Sequence, residues 1–166
     1  NDFLLWFQPA VPEGASERAQ RWCNRTTGIG ADGLIVAIND RVAPQFVLFN
    51  ADGGRAEVSG NGLRCFAHAI AGRRGVDKLE TLVATDAGDR SVRITDALSE
   101  TASVSVGMGA PNPGPSLEGI DLAAHLEFIR ADTVDLGNPH LVIEVLDERA
   151  HDIRTVGPAI EKHFLP

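Results

Sequence analysis

The chain has 166 residues, enough for one core of ordinary size. With 43% hydrophobic and 23% charged residues it is globular rather than disordered. Its formal charge of −8 argues against a nucleic-acid partner, which needs a basic face, and no apolar run approaches the roughly 20 residues that cross a bilayer. Phe3-Leu4-Leu5-Trp6-Phe7 predicts a short buried strand, ended by Gln8-Pro9 and a turn-rich segment through Gly14. Ala15, Ala19, Trp22 and Cys23 then recur on one helical face, and this helix stops between Asn24 and Gly28.

Gly28, Gly30 and Gly33 fit G-x-G-x-x-G, with Asp52 about twenty residues on, as a dinucleotide fingerprint asks. That motif must follow a strand and open a helix, so that a pyrophosphate sits on the helix amino terminus. Here it follows a helical stretch and runs into the β-rich Leu34-Ile35-Val36-Ala37-Ile38. The order is reversed, and the glycines read as the turn from helix back to strand.

Phe46, Leu48 and Asn50 alternate with Val47 and Phe49, predicting a strand with Asn50 at its end. A helix over about 60–73, terminated by Gly72 and Gly75, is followed by candidate strands at 79–85, 91–95 and 102–108. Few connections are long enough for parallel crossovers, so the sheet should be antiparallel or mixed. Pro111-Asn112-Pro113-Gly114-Pro115 is the strongest punctuation and places a domain boundary there, giving domains 1–110 and 111–166. Beyond it lie an ambiguous stretch at 117–128, a strand ending near Gly137, a strand at 141–146 and a helix at about 155–163. No repeat is visible within the chain. Cys23 and Cys65 are too few for a disulfide framework and read as the thiols of a reduced, cytoplasmic protein. There is no C-x-x-C and no histidine pair at i, i+4, so no metal site is expected.

The chain is organised around the segment from Asn50 to Phe66. Phe46-Val47-Leu48-Phe49 gives out into the turn Asn50-Ala51-Asp52-Gly53-Gly54, and Leu63, Phe66, Ala67 and Ile70 then take helical spacing. Between them, Ser59-Gly60-Asn61-Gly62 opens the helix. First-turn amides lack intrahelical partners and lie at the positive end of the macrodipole, and glycine lets an anion approach the backbone. The segment predicts an anion cradle with Ser59 at its lip.

Four motifs here resemble those of the diaminopimelate epimerase family, in the same order. They are Asn1-Asp2-Phe3, Gly28-Ile29-Gly30-Ala31-Asp32-Gly33-Leu34, Phe49 to Gly53 with Gly60 to Phe66, and Gly137-Asn138-Pro139-His140. The resemblance implies an α/β fold of the α+β type, a mostly antiparallel sheet wrapped around a central helix. It further implies one half of a pseudo-symmetric two-domain epimerase, with 111–166 beginning the second, similar domain. It also implies cofactor-independent epimerisation of LL- to meso-diaminopimelate by two opposed acid/base groups, in lysine and peptidoglycan precursor biosynthesis. By the same resemblance Ser59 stands where the family has a catalytic cysteine. Gly60 and Asn61 would offer amides to the substrate α-carboxylate, Asn1, Asn50 and Asn138 would hydrogen-bond the substrate, and His140 would support the Asn138 loop. The expected partner is a small amino acid, with no cofactor, no metal, no nucleic acid and no membrane, and a homodimer would suit the family.

Two departures qualify the match. Ser59 is a far weaker acid than a thiol, so epimerisation should be severely reduced. The family runs on through roughly a hundred further residues carrying its second cysteine, so a longer polypeptide is expected; a mature product near 17.7 kDa would defeat that expectation. Each residue also has a plainer role: Ser59 as a helix cap, Asn50 in a turn, Asn138 before a Pro turn. The alternatives are a related amino-acid racemase, isomerase or dehydratase, or a non-catalytic binding domain. A serine hydrolase is disfavoured, because Glu57-Val58-Ser59-Gly60-Asn61 lacks the glycine two residues before the serine.

Overall fold

The apolar run near the amino terminus forms strand β1 (Phe3–Phe7), which pairs parallel with β2 (Gly33–Ile38) through the crossover helix α1 (Ala15–Cys23). The computed structural model describes residues 1–40, 42 and 44–164 in two units, Asn1–Gly109 and the remainder from Ala110. All six residues of β2 are buried. Its side chains alternate between two cores: Leu34 and Val36 meet Ala15, Ala19 and Cys23 of α1, while Ile35 and Ala37 face the opposite core. A strand covered on both faces has no polar alternation, which is why this segment reads as a continuous apolar run. β3 (Gln45–Asn50) and the two-residue β4 (Arg55–Ala56) add antiparallel, giving the order β1-β2-β3-β4.

Helix α2 (Gly60–Arg74) supplies the second core. Leu63, Phe66, Ala67 and Ile70 are buried against Ile35, Ala37, Phe46 and Leu48 on one side and Val83 and Val92 on the other. Each large side chain among them contributes about 1.5–3 kcal/mol by leaving water. Phe46 and Phe66 meet edge to face, with centroids 5.7 Å apart. Val83 and Val92 belong to an antiparallel sheet of β5 (Leu79–Val83), β6 (Arg90–Thr95) and β7 (Ser103–Val106). The expected sheet around a central helix is thus built from two sheets in this unit, joined by a bridge between Gln45 and Ala84. Gly75 ends α2 at φ 64°, donating to Ala71 and Gly72; Gly72 was expected to share that role and instead lies inside the helix.

The second unit pairs β8 (Asn112–Pro113), β9 (Arg130–Asp135) and β10 (Pro139–Glu144) antiparallel, followed by helix α3 (Ile153–Phe164). Part of the proline-rich punctuation is therefore strand. The ambiguous stretch 117–128 holds one turn of 3₁₀-helix, Leu122–Ala124. No described helix is long and apolar enough to cross a membrane.

Candidate functional site

The turn after β3 is shaped by its own polar groups. Gly54 donates to Asp52 Oδ1 at 2.7 Å, and Gly53, at φ 87°, takes a conformation that favours glycine. α1 clamps this turn: Ser16 Oγ donates to the Gly53 carbonyl at 2.8 Å and Gln20 Nε2 to that of Asp52 at 2.6 Å. Asp52 thus serves the turn, and Gly28 and Gly30 lie between α1 and β2 while Gly33 opens β2, as a dinucleotide site could not have them.

Ser59 is half-buried, extended (φ −141°, ψ 118°), and caps α2. Its Oγ accepts from Gly62 N at 3.0 Å and its carbonyl from Leu63 N at 2.8 Å. Gly62 is a packing glycine, because a Cβ there would stand 3.0 Å from Phe46 Cζ. The first two amides of the helix, those of Gly60 and Asn61, have no hydrogen-bond partner among the described residues. They are the donors the sequence assigns to an anion, and a carboxylate is acceptor-only.

A chain of hydrogen bonds ties residues 1, 32 and 51 to this helix end. Asn61 Nδ2 donates to Asn1 Oδ1 at 2.6 Å, Asn1 Nδ2 donates to Asp32 Oδ2 at 3.0 Å, and Ala51 N donates to the Asp32 carbonyl at 3.2 Å. Asn50 ends β3 opposite Gly33, and Asn1, Asn50, Ser59, Gly60 and Asn61 all lie in the first unit. Arg25 holds Asp32 Oδ1 at 2.8 Å and both oxygens of Asp2 at 2.7 and 3.2 Å. On the other side, Arg64 donates to Asn61 Oδ1. The Asn1 amide and the Arg25 guanidinium hold the Asp32 carboxyl below the usual carboxylate range, and Arg25 does the same for Asp2. Burial pushes the Cys23 thiol up, whereas Cys65 is exposed. Asp32, Arg25 and Arg64 were not singled out from the sequence. Asp32 lies inside the Gly-Ile-Gly-Ala-Asp-Gly-Leu motif, the one signal that could have pointed to it.

Asn138 and His140 belong to the second unit, where His140 Nε2 lies 3.1 Å from Asn138 Oδ1. Among the described residues, no group of three or more His, Cys, Asp or Glu side chains gathers as a metal site.

The model of the diaminopimelate epimerase family matches residues 7–113. The diaminopimelate epimerase of Desulfitobacterium hafniense is 33% identical over 99% of this chain and 64% of its own length. That of Moorella thermoacetica is 34% identical over 99% and 64%, and that of Neisseria meningitidis 36% over 98% and 62%. The chain therefore spans just under two thirds of these relatives. The solved structure of a predicted epimerase from Pseudomonas aeruginosa superposes with a TM-score of 0.67 over 96% of this chain and 61% of its own, at 16% identity, a likeness of fold. With the family model covering most of the first unit, this chain belongs to the diaminopimelate epimerase family.

Proposed function

We propose that this chain carries the α-carboxylate cradle and one acid/base position of a cofactor-independent epimerase that interconverts LL- and meso-diaminopimelate. The observation that carries the reading is the pair of unpartnered amides, Gly60 and Asn61, beside Ser59 at the start of α2. A carboxylate held there would have its charge stabilised by two backbone donors and the helix dipole, which also favours the carbanion formed when the α-proton leaves. Asn1 and Asn50 bind the substrate from the same unit. Inversion needs a second group on the other face of the α-carbon. By the family resemblance that group lies beyond these 166 residues.

Ser59 limits the chemistry. Its hydroxyl is almost never ionised near neutral pH, and here it also accepts from Gly62. That hydrogen bond favours a second reading, an amino-acid-binding domain without proton transfer. Proton–deuterium exchange at the α-carbon of either diaminopimelate stereoisomer, followed by NMR in D₂O, separates the two. Ser59→Cys is expected to raise exchange by about 10²-fold or more, since a thiol can ionise at a helix amino terminus. The same change should lower stability by about 1 kcal/mol through the weakened cap. Binding without exchange in either form would leave the binding domain, and no binding at all would remove both readings.

A further inference from the structure

Asn1 and Asn61 stand in the middle of a hydrogen-bonded relay with a charge at each end: Asp32, Asn1, Asn61, Arg64. An asparagine amide can be turned either way, nitrogen for oxygen, and an isolated pair has no fixed sense. Here the ends decide. A carboxylate only accepts, so Asn1 must turn its nitrogen to Asp32; a guanidinium only donates, so Asn61 must turn its oxygen to Arg64. The inner contact then follows without choice, Asn61 Nδ2 donating to Asn1 Oδ1 at 2.6 Å. Flipping one amide would set donor against donor or acceptor against acceptor on both of its sides. Asp32 is itself steadied by Arg25 at 2.8 Å and by the backbone N–H of Asp2 at 3.2 Å.

We propose that Asp32 and Arg64 are positioning residues that lock the amide orientation of Asn1 and Asn61, and that this lock makes the cradle select a free carboxylate over a carboxamide. With the sense fixed, each amide oxygen already accepts one donor and keeps only its second lone pair, each amide nitrogen keeps one further N–H, and the backbone amides of Gly60 and Asn61 stay open. The cradle then offers mainly donors. A carboxylate matches the backbone donors with both oxygens, whereas a carboxamide must turn its N–H groups toward one of them. The selectivity rests on the carboxylate-binding reading above; the lock does not.

Two measurements keep them apart. The side-chain amide resonances of Asn1 and Asn61 in the ligand-free protein should be dispersed. They should collapse toward free-amide positions in Asp32→Asn and in Arg64→Gln, whose new amides can face either way. Arg64→Lys, still donor-only, should keep them. Titrations with LL-diaminopimelate and with its diamide should show a preference for the acid that falls about tenfold in Asp32→Asn and Arg64→Gln and holds in Arg64→Lys. Unchanged resonances and unchanged preference in Asp32→Asn and Arg64→Gln would overturn the proposal. If Asp32→Asn fails to fold by circular dichroism, the Arg64 pair, on the exposed side of α2, decides alone. Resonances that respond as expected while neither compound binds would keep the lock and overturn carboxylate binding.

Discussion

The two units solve the same packing problem to different degrees. In the first, α2 is covered on both sides, and Leu63, Phe66, Ala67 and Ile70 are buried against side chains from two sheets. In the second, Leu122, Ile160 and Phe164 are the only buried apolar side chains among the described residues. There, α3 and β10 border an open groove of about 730 Å³ lined by Leu141, Ile143, Val156 and Ile160. The lesson concerns where precision is available. The amides of Gly60 and Asn61 open a helix that its core holds rigidly, whereas the Asn138–His140 pair lies at the start of a strand with one lightly filled face.

Core truncation tests the contrast most strongly. Phe66→Ala should lose about 3–5 kcal/mol in denaturant unfolding, because its close-packed surroundings cannot collapse into the gap. Ile160→Ala should lose about 2 kcal/mol, since its site already borders open space. Equal losses would show that the second unit is as tightly packed as the first. A smaller effect separates two glycines of α2. Gly62→Ala should destabilise by about 1 kcal/mol, because its methyl would press on the buried Phe46 ring and outweigh the gain in helix propensity. Gly72→Ala, with nothing within 4 Å of the added carbon, should stabilise by about 0.5–1 kcal/mol. Matching signs would deny that close packing reaches the cradle.

The smallest effect is expected from the surface relay. Asp2 and Asp32 have depressed native pKa values, so their contribution is complete above the ordinary aspartate range near pH 4 and is lost as pH falls below it. Both are solvent-screened, so thermal unfolding should change little between pH 7 and 5 and weaken only in stronger acid. Arg25→Ala should lower stability slightly at pH 7 and flatten the loss in acid, because the two native pKa values return toward the ordinary range. An acid loss as steep as that of the parent chain would show that Arg25 does not set these carboxylates.

Much of this molecule was legible without coordinates. The alternation of β3, the helical spacing at Ala15 to Cys23 and the glycine-rich entry to α2 each follow from a local period or from turn chemistry, and the elements appear where those patterns lie. The short strands β4 and β8 were not legible, since two residues carry no period and β8 includes a proline. Ser59 shows the limit for the site: its cap to Gly62 spans three residues and could be expected locally. The contact between Asn1 and Asn61 spans sixty residues and could not.

By itself the sequence determined the identity of the donors: a serine cap, two glycines and a run of first-turn amides that no helix can satisfy internally. Only the tertiary structure decided what those donors face. Pairing β1 beside β2 and β2 beside β3 carries Asn1 and Asp32 to one end of α2 and sets Asn50 opposite Gly33, and the charges of Asp32 and Arg64 then set the sense of the amides between them. Such long-range register is fixed by burying both faces of β2, a condition that no local stretch of residues contains.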